Sequence, residues 1–456
     1  MLLSPEMLLQ ASGLSGRADA HEAQETDAIE GVRPGTVIEP DSAETLALLL
    51  AWASHARLSV VLRGHGTKLG WGRRPAAIDL LVSTRRLNRV TAHRHGDLTA
   101  SVEAGMTIAD LNIELARHGQ WLPVDPSFAD ATVGGTIAAN DSGPLRHRHG
   151  TARDLLIGVR LAMTDGRLVK AGGNVVKNVA GYDLGKLMSG SCGTLAAIVS
   201  ATFKLAPLPS SSATILAAFR EPAGLTRAVA ALASSQLEPV AFDVSVTVRL
   251  TPDTTSETGS RAPTASRDTH VVSGVSRTVA ATGGERLPYG LQVQFASAPD
   301  VVETQIDQAS RLLAADHVQV LNGAAETEAW RGHQALVWGP PGAVIRLSWL
   351  PGALPGVLAL LEDIGRLGAR SVALVARAGV GAGFVRVDAD LCTQVQAIEI
   401  LRASDVVGNV VVLRAAPEVK AQADVWGPPG ETAALLREVK RAFDPAGILN
   451  AGRGPV

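Results

Sequence analysis

Apolar positions along this chain fall into short blocks whose spacing alternates between the period of a strand and that of a helix. Val37-Ile38 precede Pro40 as a short strand, and Asp41 or Ser42 then stands where a helix cap belongs. Behind it Leu46, Leu49, Leu50 and Ala53 share one face of a helix predicted over 43–56. Val60-Val61-Leu62 reads as a buried strand, and 78–82, 88–90 and 98–105 as further strands. Thr107 caps a helix over 108–119, and the extended Pro123-Val124-Asp125-Pro126 ends it. A strand alternates over 156–165 and closes at Asp165-Gly166; a turn at 190–194 feeds another. This mixed order predicts α+β, not a run of βαβ units. After Pro207-Leu208-Pro209 the strands 214–219, 241–250, 291–295, 344–349, 371–377, 383–387 and 410–414 alternate with helices 223–235, 301–315, 354–367, 392–403 and 431–443. Two rounds of strand, helix and strand predict a ferredoxin-like antiparallel sheet with helices on one face.

These patterns divide the chain into a flexible leader (1–27), a first folded unit (28–208), a C-terminal α+β unit (209–443) and a tail (444–456). Residues 251–286, rich in Thr, Ser and Pro, read as a disordered or surface insertion. At 456 residues, two or three domains are expected. With 46% hydrophobic but only 4% aromatic residues, their cores must be built mainly from Ala, Val and Leu. A net charge of −2, with both signs mixed along the chain, lacks the basic stripe that nucleic-acid binding needs. Cys192 and Cys392 lie too far apart for a disulfide framework or a metal cluster. Both read as small buried hydrophobes in a reducing compartment. No apolar run spans a bilayer, and the N-terminus lacks a basic stretch before its apolar part, so a soluble cytoplasmic chain is expected.

Candidate chemistry lies in the glycine-rich turns. Arg63-Gly64-His65-Gly66-Thr67-Lys68-Leu69-Gly70 follows a buried strand and offers closely spaced main-chain donors plus two cations, means enough to bind phosphate. It is not a Walker A loop, since Lys68 precedes Leu69, nor a Rossmann fingerprint, since no helix pattern follows. Gly134-Gly135 opens a turn of small residues running to Asn140-Asp141-Ser142-Gly143, and Gly190-Ser191-Cys192-Gly193-Thr194 makes another. His147 and His149, two apart on a strand, would share a face, but with no third ligand nearby a basic solvated edge is preferred and no metal is expected.

RGHGTKLGWG, DPSFADATVGGTIAANDSGPLRHRHGTARD, GNVVKNVAGYDLGKLMSGSCGTLAAI and FDPAGILNAGR stand in an order that resembles the vanillyl-alcohol-oxidase type of flavoprotein, with its FAD-binding PCMH-type domain over roughly 30–208. Within it the chain looks most like the FAD-binding subunit of bacterial glycolate oxidase. The resemblance implies that Arg63 to Gly70 wrap the FAD diphosphate, and that Pro126, Ser127, Thr132, Gly134 and Gly135 line the dinucleotide. Asn140, Ser142 and Gly143 would contact phosphates or the ribityl chain, and Gly190, Gly193, Thr194 and Ile198 would lie near the adenine end or the ribose. Asn450 to Arg453 would close over the isoalloxazine edge. Covalent members carry a histidine four residues after the arginine; here that place is Thr67, and His65 is out of register, so non-covalent FAD is implied.

Tyr182 and Asp183 fit turn packing as well as flavin contact. Beyond residue 209 only His270, His317 and His333 occur, isolated, where the family's substrate-oxidising subunit carries a histidine segment. No catalytic residue announces itself. The resemblance therefore implies an accessory FAD subunit of a complex that oxidises glycolate, a small 2-hydroxy acid, to glyoxylate. Its partners would be a catalytic FAD-containing subunit and an iron–sulfur subunit, through which it would at most touch the inner face of the cytoplasmic membrane while electrons pass to quinone. Two alternatives stand beside this one. The first is a self-sufficient oxidase of another alcohol or hydroxy acid, with Trp330, His333 and Trp338 as candidate pocket residues; the second is a scaffold that has lost its flavin.

Overall fold

The computed structural model describes residues 4–173, 182–249, 287–339, 341–428 and 430–455. The expected insertion at 251–286 and the 174–181 part of the third quoted segment lie outside the described residues.

The first sheet has four strands, ordered Ala18–Glu22, Thr36–Pro40, Leu80–Ser83 and Val60–Arg63. The last three run parallel, and the first pairs antiparallel with Thr36–Pro40. Helix Ala43–His55 seals one face with Leu46, Leu49, Leu50 and Ala53, all fully buried. Both capping candidates contribute: Thr45 N donates to Ser42 Oγ, and Thr45 Oγ1 to Asp41 Oδ1. The leader departs from expectation, for it is ordered from residue 4. Ser4 caps helix Pro5–Ala11, and the strand Ala18–Glu22 follows. Few apolar residues suffice because Leu8 and Leu14 join the core that Leu46 and Leu50 already form.

The second sheet is antiparallel, ordered Val90–Arg94, Thr99–Glu103, Ala197–Lys204, Leu156–Ala162 and Leu168–Gly172. Val102, Leu111, Leu115, Ile137, Leu161 and Phe203 make its core. The segment read as a glycine turn is a helix, Val133–Ala139, with Gly134 and Gly135 in its first turn. Thr132 caps it, accepting from Gly135 N at 3.3 Å. Gly134 permits close contact with the sheet, since a Cβ there would stand 2.9 Å from the Ala104 Cβ. Arg146–His149 is likewise helical, so His147 and His149 do not share a strand face. Nor do they form a solvated edge. His147 lies edge-on to Phe242 at 5.5 Å and His149 to Trp121 at 5.9 Å, and burial pulls both imidazoles below their ordinary pKa.

The third sheet has eight antiparallel strands in the order His317–Leu321, Ser211–Phe219, Tyr289–Ser297, Ala241–Arg249, Ser371–Arg377, Ala382–Asp388, Ala343–Ser348 and Asn409–Arg414. Helices Pro222–Ala233, Pro299–Leu312, Leu354–Arg366 and Leu391–Ala403 cover one face, in keeping with the α+β layout expected. One addition was not legible. Helix Gly323–Trp338 packs on the opposite face, where Val337 meets Val344, Val375, Phe384 and Leu413. Two of its three buried residues are Glu326 and His333, so no apolar stripe announces it. The chain then returns to its beginning. Val60 N donates to Ile448 O and Asn450 N to Val60 O, which seats the tail along the first sheet's edge strand.

Candidate cofactor site

Strand Val60–Arg63 delivers the glycine loop to the junction of the sheets. Gly64 is irreplaceable there: a Cβ would lie 2.2 Å from Thr132 Oγ1. Gly66 takes φ +84°, a conformation that L side chains rarely adopt. Across Gly64 to Lys68, no backbone N–H donates to any protein acceptor among the described residues. Consecutive free amides on a tight loop form an anion-holding concavity. The two cations of the loop are already compensated. Arg63 Nη1 binds Asp27 Oδ1 at 2.6 Å, and Lys68 Nζ lies 3.2 Å from Asp141 Oδ2, both pairs largely out of water. Burial opposes ionisation of Asp27, yet the Arg63 bond, the Gln24 N–H and the Arg63 charge outweigh it and hold the carboxyl below its usual range. The pull on a diphosphate therefore comes chiefly from the main chain.

The cleft that this loop opens into brings together Arg63 to Leu69, Thr132, Gly134, Gly135, Gly193, Ile198, Asn450 and Arg453. Ala104, Ala138, Ala139, Ala196 and Ala197 add small walls, and Leu62, Thr84, Cys192 and Trp71 complete it. Gly70 opens instead on an adjoining hollow with Asp27 and Glu30. Pro126, Ser127, Asn140, Ser142, Gly143, Gly190 and Thr194 do not line the cleft. Several of them brace it. Ser127 donates through N and Oγ to Asp141, Gly143 N donates to Asp125, and Lys440 Nζ donates to the Thr194 carbonyl. Asp183 caps helix Leu184–Met188 and Tyr182 stands 92% exposed, which gives that segment a turn role.

Residues remote in sequence clamp the loop. Arg453 donates to the carbonyls of Leu69 and Trp71, and Asn450 Nδ2 to that of Cys192. Lys420 reaches across to Glu30 and to the carbonyls of Gly70 and Gly72. Trp338 stacks on Trp71 at 5.6 Å and meets Phe128 and Phe384 at 5.1 Å each, an aromatic joint between the halves. Trp330 and His333 are taken up by Thr214 and Asp243, so neither candidate, nor Trp338, lines the cleft.

Two residues here differ from expectation or escaped it. Cys192 is half-buried on the cleft wall, with its thiol pKa raised by burial, and Cys392 is exposed, so neither is a fully buried hydrophobe. Arg346 carries no signal in the sequence, because an alternating strand does not reveal which face looks toward a ligand. It shares the sheet face of Val344, turned away from the helix-covered side. Desolvation lowers the pKa of its guanidinium against the charges of Cys192 and Asp141, and among the described residues no hydrogen bond or ion pair engages its side chain.

Buried polar atoms around the cleft test what it holds. Arg63 Nε, Thr136 Oγ1, Asn140 Oδ1, Ser191 Oγ, Asn450 Oδ1 and Arg453 Nη1 have no partner among the described residues. Orphaned donors and acceptors, a row of free amides and walls without bulk suit a long ligand with a doubly charged linker and many hydroxyls. Fold and site together define a flavin-dinucleotide-binding protein. Residues 34–172 match the FAD binding domain family, and residues 428–453 match the C-terminal domain of FAD linked oxidases. The two matched segments are those of an FAD binding domain and of an FAD linked oxidase C-terminal domain, and FAD is the cofactor.

The chain is 29% identical over 244 residues to glycolate oxidase subunit GlcD of Bacillus subtilis, covering 52% of each chain. It is 30% identical over 220 residues to glycolate oxidase subunit GlcE of Escherichia coli, covering 46% of this chain and 61% of that one. It thus spans about half the length of the first of these relatives. The solved structure of alkyldihydroxyacetonephosphate synthase shares the fold at a TM-score of 0.63 and 15% identity, over 92% of this chain and 76% of that one.

Proposed function

We propose that this chain is the FAD-binding subunit of a multi-subunit oxidoreductase that converts glycolate to glyoxylate, with electrons leaving through an iron–sulfur subunit to quinone. One observation carries the reading. The cleft offers main-chain donors for the dinucleotide, but among the described residues its lining includes no carboxylate and no imidazole other than His65. Such a site holds a flavin with His65, on the diphosphate loop, as the one imidazole within reach of it. Two relatives named as glycolate oxidase subunits support the assignment. When bound, FAD supplies the acceptor for the electron pair that leaves a CH–OH group. The protein's part is to grip the diphosphate with amides 64–68, to meet flavin hydroxyls with Asn450, and to exclude water with the Trp71–Trp338 joint. No helix among the described residues is long and apolar enough to cross a membrane.

A second reading, a self-sufficient 2-hydroxy-acid oxidase, is favoured by Arg346 alone: an unpaired, desolvated guanidinium near the cleft is a natural anchor for a carboxylate. One experiment separates the two. The chain purified alone should carry flavin yet reduce dye with glycolate only after the catalytic and iron–sulfur subunits are added. Full turnover by the isolated chain would favour the second reading, and a flavin-free protein after FAD reconstitution would sink both.

A further inference from the structure

His93, His95 and His118 meet on the outer side of the second sheet. His93 is the penultimate residue of strand Val90–Arg94, His95 opens the turn after it, and His118 follows helix Ile108–Ala116. The ring centroids of His95 lie 4.1 Å from His93 and 3.9 Å from His118, and those of His93 and His118 are 5.2 Å apart. One nitrogen from each falls within 4.8 Å of the other two. Ligands on a tetrahedral zinc at about 2.0–2.1 Å stand about 3.4 Å apart, so small side-chain rotations close the set.

The protonation pattern suits ligation. Buried Gln120 donates through Nε2 to the His95 carbonyl at 2.9 Å, which leaves its Oε1 as the acceptor 2.9 Å from His93 Nε2. His93 must then carry its proton on Nε2 and keep Nδ1 as a free lone pair, the arrangement by which an outer partner orients a metal-bound histidine. The same glutamine ties both segments together. No carboxylate belongs to the group. None of the three lines the flavin cleft.

We propose that His93, His95 and His118 form a surface binding site for one late first-row divalent cation such as Zn2+, Ni2+ or Cu2+, oriented by Gln120. All-nitrogen ligation selects these ions over Mg2+ and Ca2+, which take oxygen ligands. Three protein ligands leave at least one coordination position for water or an external donor.

The test is calorimetric titration of the flavin-loaded full-length protein, dialysed against chelator, with Zn2+ and separately with Mg2+. One Zn2+ per chain and no Mg2+ are expected, and Cu2+-loaded protein should give an electron paramagnetic resonance signal with nitrogen hyperfine coupling. His118→Ala and His95→Ala should each weaken Zn2+ binding by more than about tenfold, and Gln120→Leu by about 10–100-fold, with unchanged flavin absorbance as the sign of an intact fold. Unaltered Zn2+ affinity in the His95→Ala/His118→Ala double variant, or no Zn2+ uptake by the parent protein, would overturn the proposal. Equal affinity for Mg2+ would do the same.

Discussion

Gly64 and Gly70 stand six residues apart in one loop, yet a methyl group would mean opposite things at each. At Gly64 it collides with the whole Thr132 side chain, whereas at Gly70 it meets nothing within 4 Å. Gly64→Ala should therefore cost about 1–3 kcal/mol and strip most flavin from the purified protein, read as the visible-to-ultraviolet absorbance ratio and the melting temperature. Gly70→Ala should stay within about 0.5 kcal/mol of the parent. Since His65 is out of register with the covalent pattern, acid precipitation should leave all flavin in the supernatant, and His65→Ala should keep its flavin. Arg346→Gln should leave flavin content alone. If this chain binds the hydroxy acid, that variant should raise KM at least about tenfold in the assembled enzyme, the worth of one charge-assisted contact. The loop was legible in the sequence because glycine content is a local property. The pairing of Arg63 with Asp27 and of Lys68 with Asp141 was not, for these partners lie far along the chain. Both cations looked available for phosphate and prove to be engaged.

Most predicted elements recur within a few residues of their expected limits, because alternation and helical stripes reflect neighbours at most four positions away. The exceptions share a cause. Helix Val133–Ala139 looks like a turn by its glycines, but Thr132 caps it and the sheet accepts its small face. Helix Gly323–Trp338 hides because it buries Glu326 under Ser212, Thr214 and Gln294, and His333 against Asp243. Burial of polar side chains becomes affordable only once their partners arrive from other strands. The short helix Pro417–Gln422 offers the clearest test of such long-range pairing, since its Lys420 holds Glu30 and the glycine-loop carbonyls. Lys420→Met leaves Glu30 buried without its partner and should cost about 3–5 kcal/mol in denaturant unfolding. Adding Glu30→Gln should recover most of that loss, because the stranded charge is the larger part of it.

The cleft belongs to no single part of the chain. Its loop comes from the first sheet, its floor from the second, and its clamps Asn450 and Arg453 from the tail that follows the third. A fragment ending at residue 208 should accordingly fail to retain flavin, whereas the full chain retains it on gel filtration. The junction also carries a pH dependence. Burial pushes Asp125 from 3.8 up to about 7, against the opposing pull of the Leu145 N–H and the Arg377 charge. An acid whose folded pKa is raised holds its proton more tightly when folded, so its contribution to stability is present below about pH 4 and drains away as pH rises toward 7. The melting temperature of Asp125→Asn minus that of the parent should therefore become more positive across that window.

Period and glycine placement settled where strands, helices and backbone-exposing turns form, since those depend on adjacent residues and on what a missing Cβ permits. Chain folding alone decided which charges cancel, which amides stay free, that Arg346 stands unpaired, and that three scattered histidines share one patch. Each of these depends on distances between residues tens to hundreds of positions apart, and a linear pattern carries no record of such distances until packing closes them.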